Sequence, residues 1–270
     1  MRVLSLGAGV QSSTLALMIE KGEVPMVDCA IFADTGNEPK QVYKWLDFLK
    51  KEVSYPIHIV SKGNLKEDSL KEKFMKLPVF IRQLDGTISF GRRQCTREYK
   101  ITPVAQKIRF LLGLKKGQRV PKNTKVQLLI GISRDEMVRV TKSRDAWIEN
   151  IYPLVFDLQY NRRDCLAWFK KNNLPLPIKS ACVFCPFHSN TDWLKIKKEQ
   201  PEDWQECVEF DEQIRSIYEE FSVLKGNKKF IGVKAYLHSS AVPLKEANLD
   251  PNKDQMDMFN DICDEGMCGV

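Results

Sequence analysis

No stretch of the sequence approaches the roughly 18 consecutive apolar residues of a membrane-spanning helix, and the first residues lack a basic region followed by an unbroken apolar core. No membrane association is therefore expected, and the expected compartment is the cytoplasm. Internal repeats and low-complexity tracts are missing too, which excludes a solenoid or a chain dominated by disorder. Without a secretion signal, the 8 cysteines are better explained by metal binding or thiol chemistry than by disulfides. What is there is ordinary in bulk: 270 residues, 43% apolar, enough for one large α/β domain or two small ones. The net charge of +7 fits a basic face for nucleic acid or a polyanionic nucleotide, and equally a merely soluble surface.

The chain opens with VLSL, a short buried strand, then GAGVQSST, then STLALMIEKG, a helix closed by Gly22. A glycine-punctuated turn at a helix N-terminus presents unpartnered N–H groups and the positive end of the dipole, which suits an anion such as phosphate. The alternative is an ordinary strand-to-helix turn with Ser12 as a cap. VDCAIFADTG reads as a second strand, EPKQVYKWLDFLKKE as an amphipathic helix with apolar Val42, Trp45, Leu46 and Leu49, and residues 57–60 as a third strand. A charged helix at about 64–76 and a less regular stretch lead to helix 98–113. Residues 115–125 form an exposed basic loop, and VQLLIG is a further buried strand delivering GISRDEMVR. Helices follow at about 161–172, 190–198 and 201–221. Alternating strands and helices predict an α/β fold, a doubly wound, mostly parallel sheet flanked by helices, with ligands beyond the carboxyl ends of the strands. The expected division is a nucleotide-binding domain over 1–240 and a C-terminal tail over 241–270.

Cys29, Cys165 and Cys207 lie singly in apolar or helical patterns and read as small buried hydrophobes. Cys95, the pair Cys182 and Cys185, and the tail residues Cys263 and Cys268 remain. The C-x-x-C step in KSACVFCPFHS is compatible with zinc, an iron–sulfur cluster or a redox dithiol. A zinc site would want a second C-x-x-C or a C/H pair, and the only other close pair is C-x4-C in the tail. Cys95, Cys182 and Cys185 suit an iron–sulfur cluster with one irregular or open ligand position, with zinc as the runner-up.

Five separated motifs from Val3 to about His188 follow the order of the phosphoadenosine phosphosulfate (PAPS) reductase family, within the adenine nucleotide α-hydrolase-like (PP-loop) superfamily. The sequence resembles that family on these motifs. GAGVQSST stands at the superfamily's phosphate loop, S-G-G-x-D-S, with Gln11 in place of the aspartate of the ATP-cleaving branch. The resemblance thus implies that Gly7, Gly9, Gln11, Ser12 and Ser13 contact phosphate or sulfate. FADTG is similar to the family's D-T-G segment, which sets Asp34, Thr35 and Gly36 beside the nucleotide. CTREYKITPV resembles C-C-x-x-R-K-V-x-P-L, with Cys95 and Lys100 matching and Thr96 at the second cysteine. IGISRDEMVRV is similar to G-x-R-x-x-Q-S-x-x-R, which points to Gly131, Arg134 and Arg139 for the anionic end of the substrate, although Ser133 replaces the first arginine. SACVFCPF looks like the second half of the cluster motif, so the implied cofactor is a 4Fe–4S cluster on Cys95, Cys182 and Cys185. The ending GMCGV is similar to the mobile E-C-G-x-H nucleophile segment, without its glutamate and histidine, and makes Cys268 the candidate nucleophile.

The expected function is a sulfonucleotide reductase-like enzyme that binds PAPS, adenylylsulfate or ATP and uses a thiol reductant protein as partner. The alternative is an ATP-dependent iron–sulfur sulfurtransferase acting on a nucleic acid, and the third class is an inactive nucleotide- or nucleic-acid-binding module.

Overall fold

The computed structural model describes residues 1–72, 75–226 and 230–253. Five strands build the central sheet: β1 (Arg2–Leu6), β2 (Cys29–Asp34), β3 (Ile57–Ser61), β6 (Val126–Ile130) and β7 (Ile148–Ile151). They are all parallel, in the order β3-β2-β1-β6-β7. The chain steps outward from β1 to β3, then returns to the other side of β1 for β6 and β7. The reversal falls between β1 and β6, the place at which an open parallel sheet commonly holds its ligand.

Alternation along the strands feeds two apolar layers. Leu4 and Leu6 of β1 and Ala30 and Phe32 of β2 face a core shared with α1 (Val10–Glu20), α2 (Lys40–Glu52) and α6 (Arg162–Lys171). Val3 of β1 and Cys29 and Ile31 of β2 face the opposite layer with Val104 and Ile108 of α4 (Thr102–Leu111). The sheet is therefore doubly wound. The predicted apolar stripe of α2, Val42, Trp45, Leu46 and Leu49, is buried throughout, and each such side chain contributes roughly 1.5–3 kcal/mol.

A second layer was not visible in the sequence pattern. Strands β4 (Phe80–Arg82), β5 (Ile88–Phe90) and β8 (Lys234–Tyr236) form an antiparallel sheet ordered β5-β4-β8. Each is only 3 residues long, too short to show a period, and β8 joins from far along the chain. This sheet shares a core with α3 (Leu65–Lys71), α7 (Asn190–Glu199), α8 (Pro201–Gln213) and α9 (Ile217–Leu224), including Trp193, Phe210 and Leu237. The short α5 (Pro153–Phe156) follows β7.

The single helix expected over 201–221 is broken between α8 and α9. The break frees the Arg215 carbonyl to accept the Ala235 N–H of β8 at 3.1 Å. Asp211, buried at the end of α8, accepts the backbone N–H groups of Leu237 and Leu244 at 2.8 and 2.9 Å and pairs with Arg215. That anchor draws residues beyond 240 into the body: Ala241, Leu244 and Leu249 are buried. The first part of the expected tail is thus packed against the second layer, whereas residues 254–270, with Cys263 and Cys268, lie outside the described residues. Replacing Asp211 with Ala strands two buried amides, each worth about 1–3 kcal/mol, so a loss of roughly 3 kcal/mol is expected in urea unfolding. A loss within 0.5 kcal/mol would show that the anchor is dispensable.

Candidate active site

The loop after β1 turns through Ala8, a non-glycine residue in the left-handed region (φ 57°). Ser12 Oγ accepts the Gly7 N–H at 3.2 Å and lies 3.4 Å from the Gly9 carbonyl. Gly9 is the N-terminal cap of α1, with no side-chain cap, so Ser12 stabilises the loop rather than capping the helix. The start of α1 thus has no side-chain cap, the arrangement in which a helix N-terminus can serve an anion. Gly131, just after β6, sits against this turn. A Cβ there would stand 2.6 Å from Ser12 Cα and 2.7 Å from Ser12 N, so only glycine permits the approach.

Gln11 bridges the two loops: its Nε2 lies 3.4 Å from Ser133 Oγ, and its Oε1 accepts Arg162 Nη1 at 3.3 Å. Ser13 is turned away. It is fully buried, and its hydroxyl accepts the Trp45 indole N–H at 2.8 Å, which removes that side chain from the expected phosphate donors.

Beside this loop lies a cavity of about 640 Å³, within the range of small-molecule sites. The strands contribute Phe32, Ile130 and Ile148, the turn after β1 contributes Gly7, and Val104 of α4 lines the cavity with them. A π-helical turn, Thr96–Ile101, precedes α4 and supplies Thr96, Arg97 and Lys100. Such turns occur often at functional sites, because the extra residue re-aims the side chains around it. Here Tyr99 points into the core, fully buried, and its hydroxyl donates to Asp68 at 2.5 Å. The opposite wall follows the 3₁₀ turn Arg134–Arg139 and carries Arg139, Lys142 and Arg144.

The two inner cations are held by buried carboxylates. Lys100 Nζ is 3.6 Å from Glu38 Oε1, and Arg139 Nη1 is 2.8 Å from Glu136 Oε1. Both glutamate side chains are almost wholly buried, at 0% and 1% exposure. Apolar walls with fixed cations suit a ligand with a flat apolar part and an anionic end.

Of the residues singled out from sequence, Gly7, Lys100 and Arg139 line the cavity, and Gly9, Gln11 and Ser12 form the adjoining turn. Arg134 is exposed and outside the lining, its backbone N–H donating to the Tyr160 carbonyl at 2.7 Å. Asp34 accepts the Gly36 N–H and the Tyr43 hydroxyl at 2.7 and 2.9 Å. Thr35 is fully buried with Oγ1 3.2 Å from Cys182 Sγ. Asp34, Thr35 and Gly36 thus shape the turn, and it is their neighbour Ala33 that reaches the cavity. Sequence reasoning missed Lys142, Arg144 and the two glutamates. The signal for the cations was the basic run RVTKSR after the β6 loop; burial of Glu38 and Glu136 has no local signature.

The C-x-x-C segment docks on the same strand ends. Ser180 Oγ donates to the Gly7 carbonyl, and the Val183 N–H donates to the Asn37 carbonyl at 3.0 Å. A tight turn closes with the Cys185 N–H on the Cys182 carbonyl at 3.0 Å. His188 Nε2 lies 3.0 Å from the carbonyls of Cys182 and Val183, so this nitrogen carries the proton. Cys95 packs against the apolar cluster that contains Cys182 and Cys185. Among the described residues, however, no group of three or more Cys, His, Asp or Glu side chains could hold a metal ion. The three-ligand site expected for an iron–sulfur cluster or zinc is thus not shown: Cys182 Sγ lies beside Thr35, and the cysteines of the pair have apolar neighbours.

The other cysteines behave as hydrophobes. Burial pushes the Cys29 and Cys165 thiols up to about 11 and about 12, and raises Cys207 further, so all three stay protonated near neutrality.

No family model matches the chain, and no curated protein matches it. Among solved structures it is similar to the phosphate complex of phosphoadenylyl-sulfate (PAPS) reductase from Candida auris, at 19% identity over 65% of this chain and 74% of that one, with a TM-score of 0.44. The class is defined by the chain's own geometry: an α/β protein with a parallel five-stranded sheet wound on both faces.

Two expectations follow. Gly131→Ala forces its methyl against the first turn of α1, and overpacking of this kind costs about 1–3 kcal/mol; chemical denaturation should show that loss. Asp192, which caps α7, stands 2.8 Å from Lys179 Nζ and 3.9 Å from His188 Nδ1. Burial alone would raise its carboxyl, but His188 and Lys179 outweigh that and hold it well below the usual carboxylate range. A depressed carboxylate stabilises the fold above its unfolded value, near pH 4, and that contribution is lost as pH falls toward the folded value. The urea midpoint should fall on acidification below about pH 4, and Asp192→Asn should flatten that dependence.

Proposed function

We propose that the chain is an enzyme that binds an adenine nucleotide in the cavity and acts on its sulfonate or phosphate end. The observation that carries this reading is that the turn leading into the uncapped start of α1 opens, through Gly7, onto an apolar cavity holding Lys100 and Arg139. Reaction at sulfur or phosphorus builds negative charge on peripheral oxygens, and fixed cations stabilise it without reorganising. Glu38 and Glu136 supply that fixity by restraining the two cations before substrate arrives.

In the reductase form of this reading, Cys268 is the nucleophile. Its thiolate sulfur bonds to the sulfonate sulfur, the bond from that sulfur to the bridging phosphate oxygen breaks, and the nucleotide leaves with the electron pair. An external thiol then attacks the cysteine sulfur, forming a disulfide and releasing sulfite. In the second form, ATP activates a sulfur acceptor on a nucleic acid; the exposed basic loop at 115–125 favours this form. No metal-holding group is found among the described residues, and neither form routes a step through an iron–sulfur cluster.

Calorimetry with ATP, adenylylsulfate and PAPS tests the reading. At least one nucleotide should bind, and Arg139→Ala should weaken it by about tenfold or more, roughly 1.4 kcal/mol. Sulfite released from a sulfonucleotide, and lost in Cys268→Ser, selects the reductase form; pyrophosphate released from ATP selects the other. No binding of any adenine nucleotide would overturn both.

A further inference from the structure

The chain's positive charge is concentrated in one segment. Residues 92–125 hold 11 Lys and Arg and a single acid, Glu98, so this segment exceeds the whole chain's net charge of +7 and leaves the remainder net acidic. Glu98 itself is engaged by Lys62 and Lys76. The segment comprises the π-helical turn, α4 and the loop after it, and its first part lines the cavity through Arg93, Arg97 and Lys100. Among the described residues, Arg97, Lys107, Lys115, Lys116, Arg119 and Lys122 form no ion pair. A solvated surface of average character would intersperse both signs.

Three further features give the band a direction. Arg97 also lines the cavity, so the basic surface runs into its mouth, where Lys142 and Arg144 continue it on the far wall. Arg109 of α4 donates to the Gln118 carbonyl, and Lys125 Nζ reaches the Ala146 carbonyl at 3.5 Å, which ties the loop to α4 on one side and to the Arg144 wall on the other. Phe110, at the end of α4, is 69% exposed with Lys107 Nζ 4.9 Å from its ring centre. An exposed aromatic ring among cations is what unpaired bases stack on, while the cations track phosphates.

We infer that this face binds single-stranded nucleic acid, with its phosphodiester backbone along α4 and the 115–125 loop and one end directed to the cavity mouth. A duplex offers no unstacked base to Phe110. A bilayer is flat and would not follow a band that enters a cavity. The inference is independent of which reaction the cavity performs.

The test uses the full chain and fluorescence anisotropy with a labelled oligonucleotide of about 20 nucleotides, alongside its duplex and vesicles containing phosphatidylserine. The expected result is binding to the single strand, with a log–log salt slope steeper than about −1.4, equivalent to at least two phosphates. The variant Lys115→Glu/Lys116→Glu/Arg119→Glu should weaken binding by at least about tenfold, and Phe110→Ala by at least about fivefold, corresponding to the stacking range of 1–3 kcal/mol. Both variants should keep wild-type adenine-nucleotide binding by calorimetry, which also shows that they are folded. Oligonucleotide binding without any nucleotide binding by the wild type would remove the proposed enzyme and leave this inference standing. Absence of oligonucleotide binding, insensitivity to both variants, equal affinity for the duplex, or tighter binding to vesicles would each overturn it.

Discussion

The contact between Gly131 and the first turn of α1 is the constraint on which the remaining geometry depends. β1 and β6 are neighbours whose loops must part to leave a crevice. Here the loop after β6 passes so close to Ser12 that no side chain is tolerated. The approach sets Ser133 against Gln11, at the head of the segment that leads to Arg139. Ser180 clasps the Gly7 carbonyl from the other side, so the loop is held between two segments distant in sequence.

The charges around the cavity divide into two populations. Lys100 and Arg139 face buried glutamates and add little net charge to the interior, since a desolvated cation without a counterion would be costly. Arg97 is exposed at the rim, as are Lys142 and Arg144. The first population is suited to holding a defined anion in one orientation. The second is suited to attraction at a distance, which salt weakens.

The parallel sheet was legible because its strands read as short apolar runs, as in CAIFAD, between helices with a clear period, as in the stripe Val42, Trp45, Leu46 and Leu49. The turn between β1 and α1 was legible from glycine spacing at a strand end. The small sheet was not, because a strand of three residues has no period and β8 meets β4 across most of the chain. Side-chain commitments were equally hidden. Nothing local to SST shows that Ser13 turns toward Trp45, and nothing in DTG shows that Thr35 meets Cys182. The C-x-x-C step forms a turn packed under the strand ends, and its spacing alone did not show how Cys95 stands to it.

The π-helical turn at Thr96–Ile101 has a consequence for how this protein can vary. It runs without interruption into α4, which the sheet holds fixed through Val104 and Ile108. Its wider coil accommodates one residue more than a regular helix would. Losing a single residue there would restore the α-helical repeat and swing everything upstream by about 100° relative to α4. Arg97 would then leave the cavity and Tyr99 would leave the core. The roof can therefore exchange one side chain for another with graded effects, but its length is quantised: substitutions tune the site, and a one-residue deletion dismantles it.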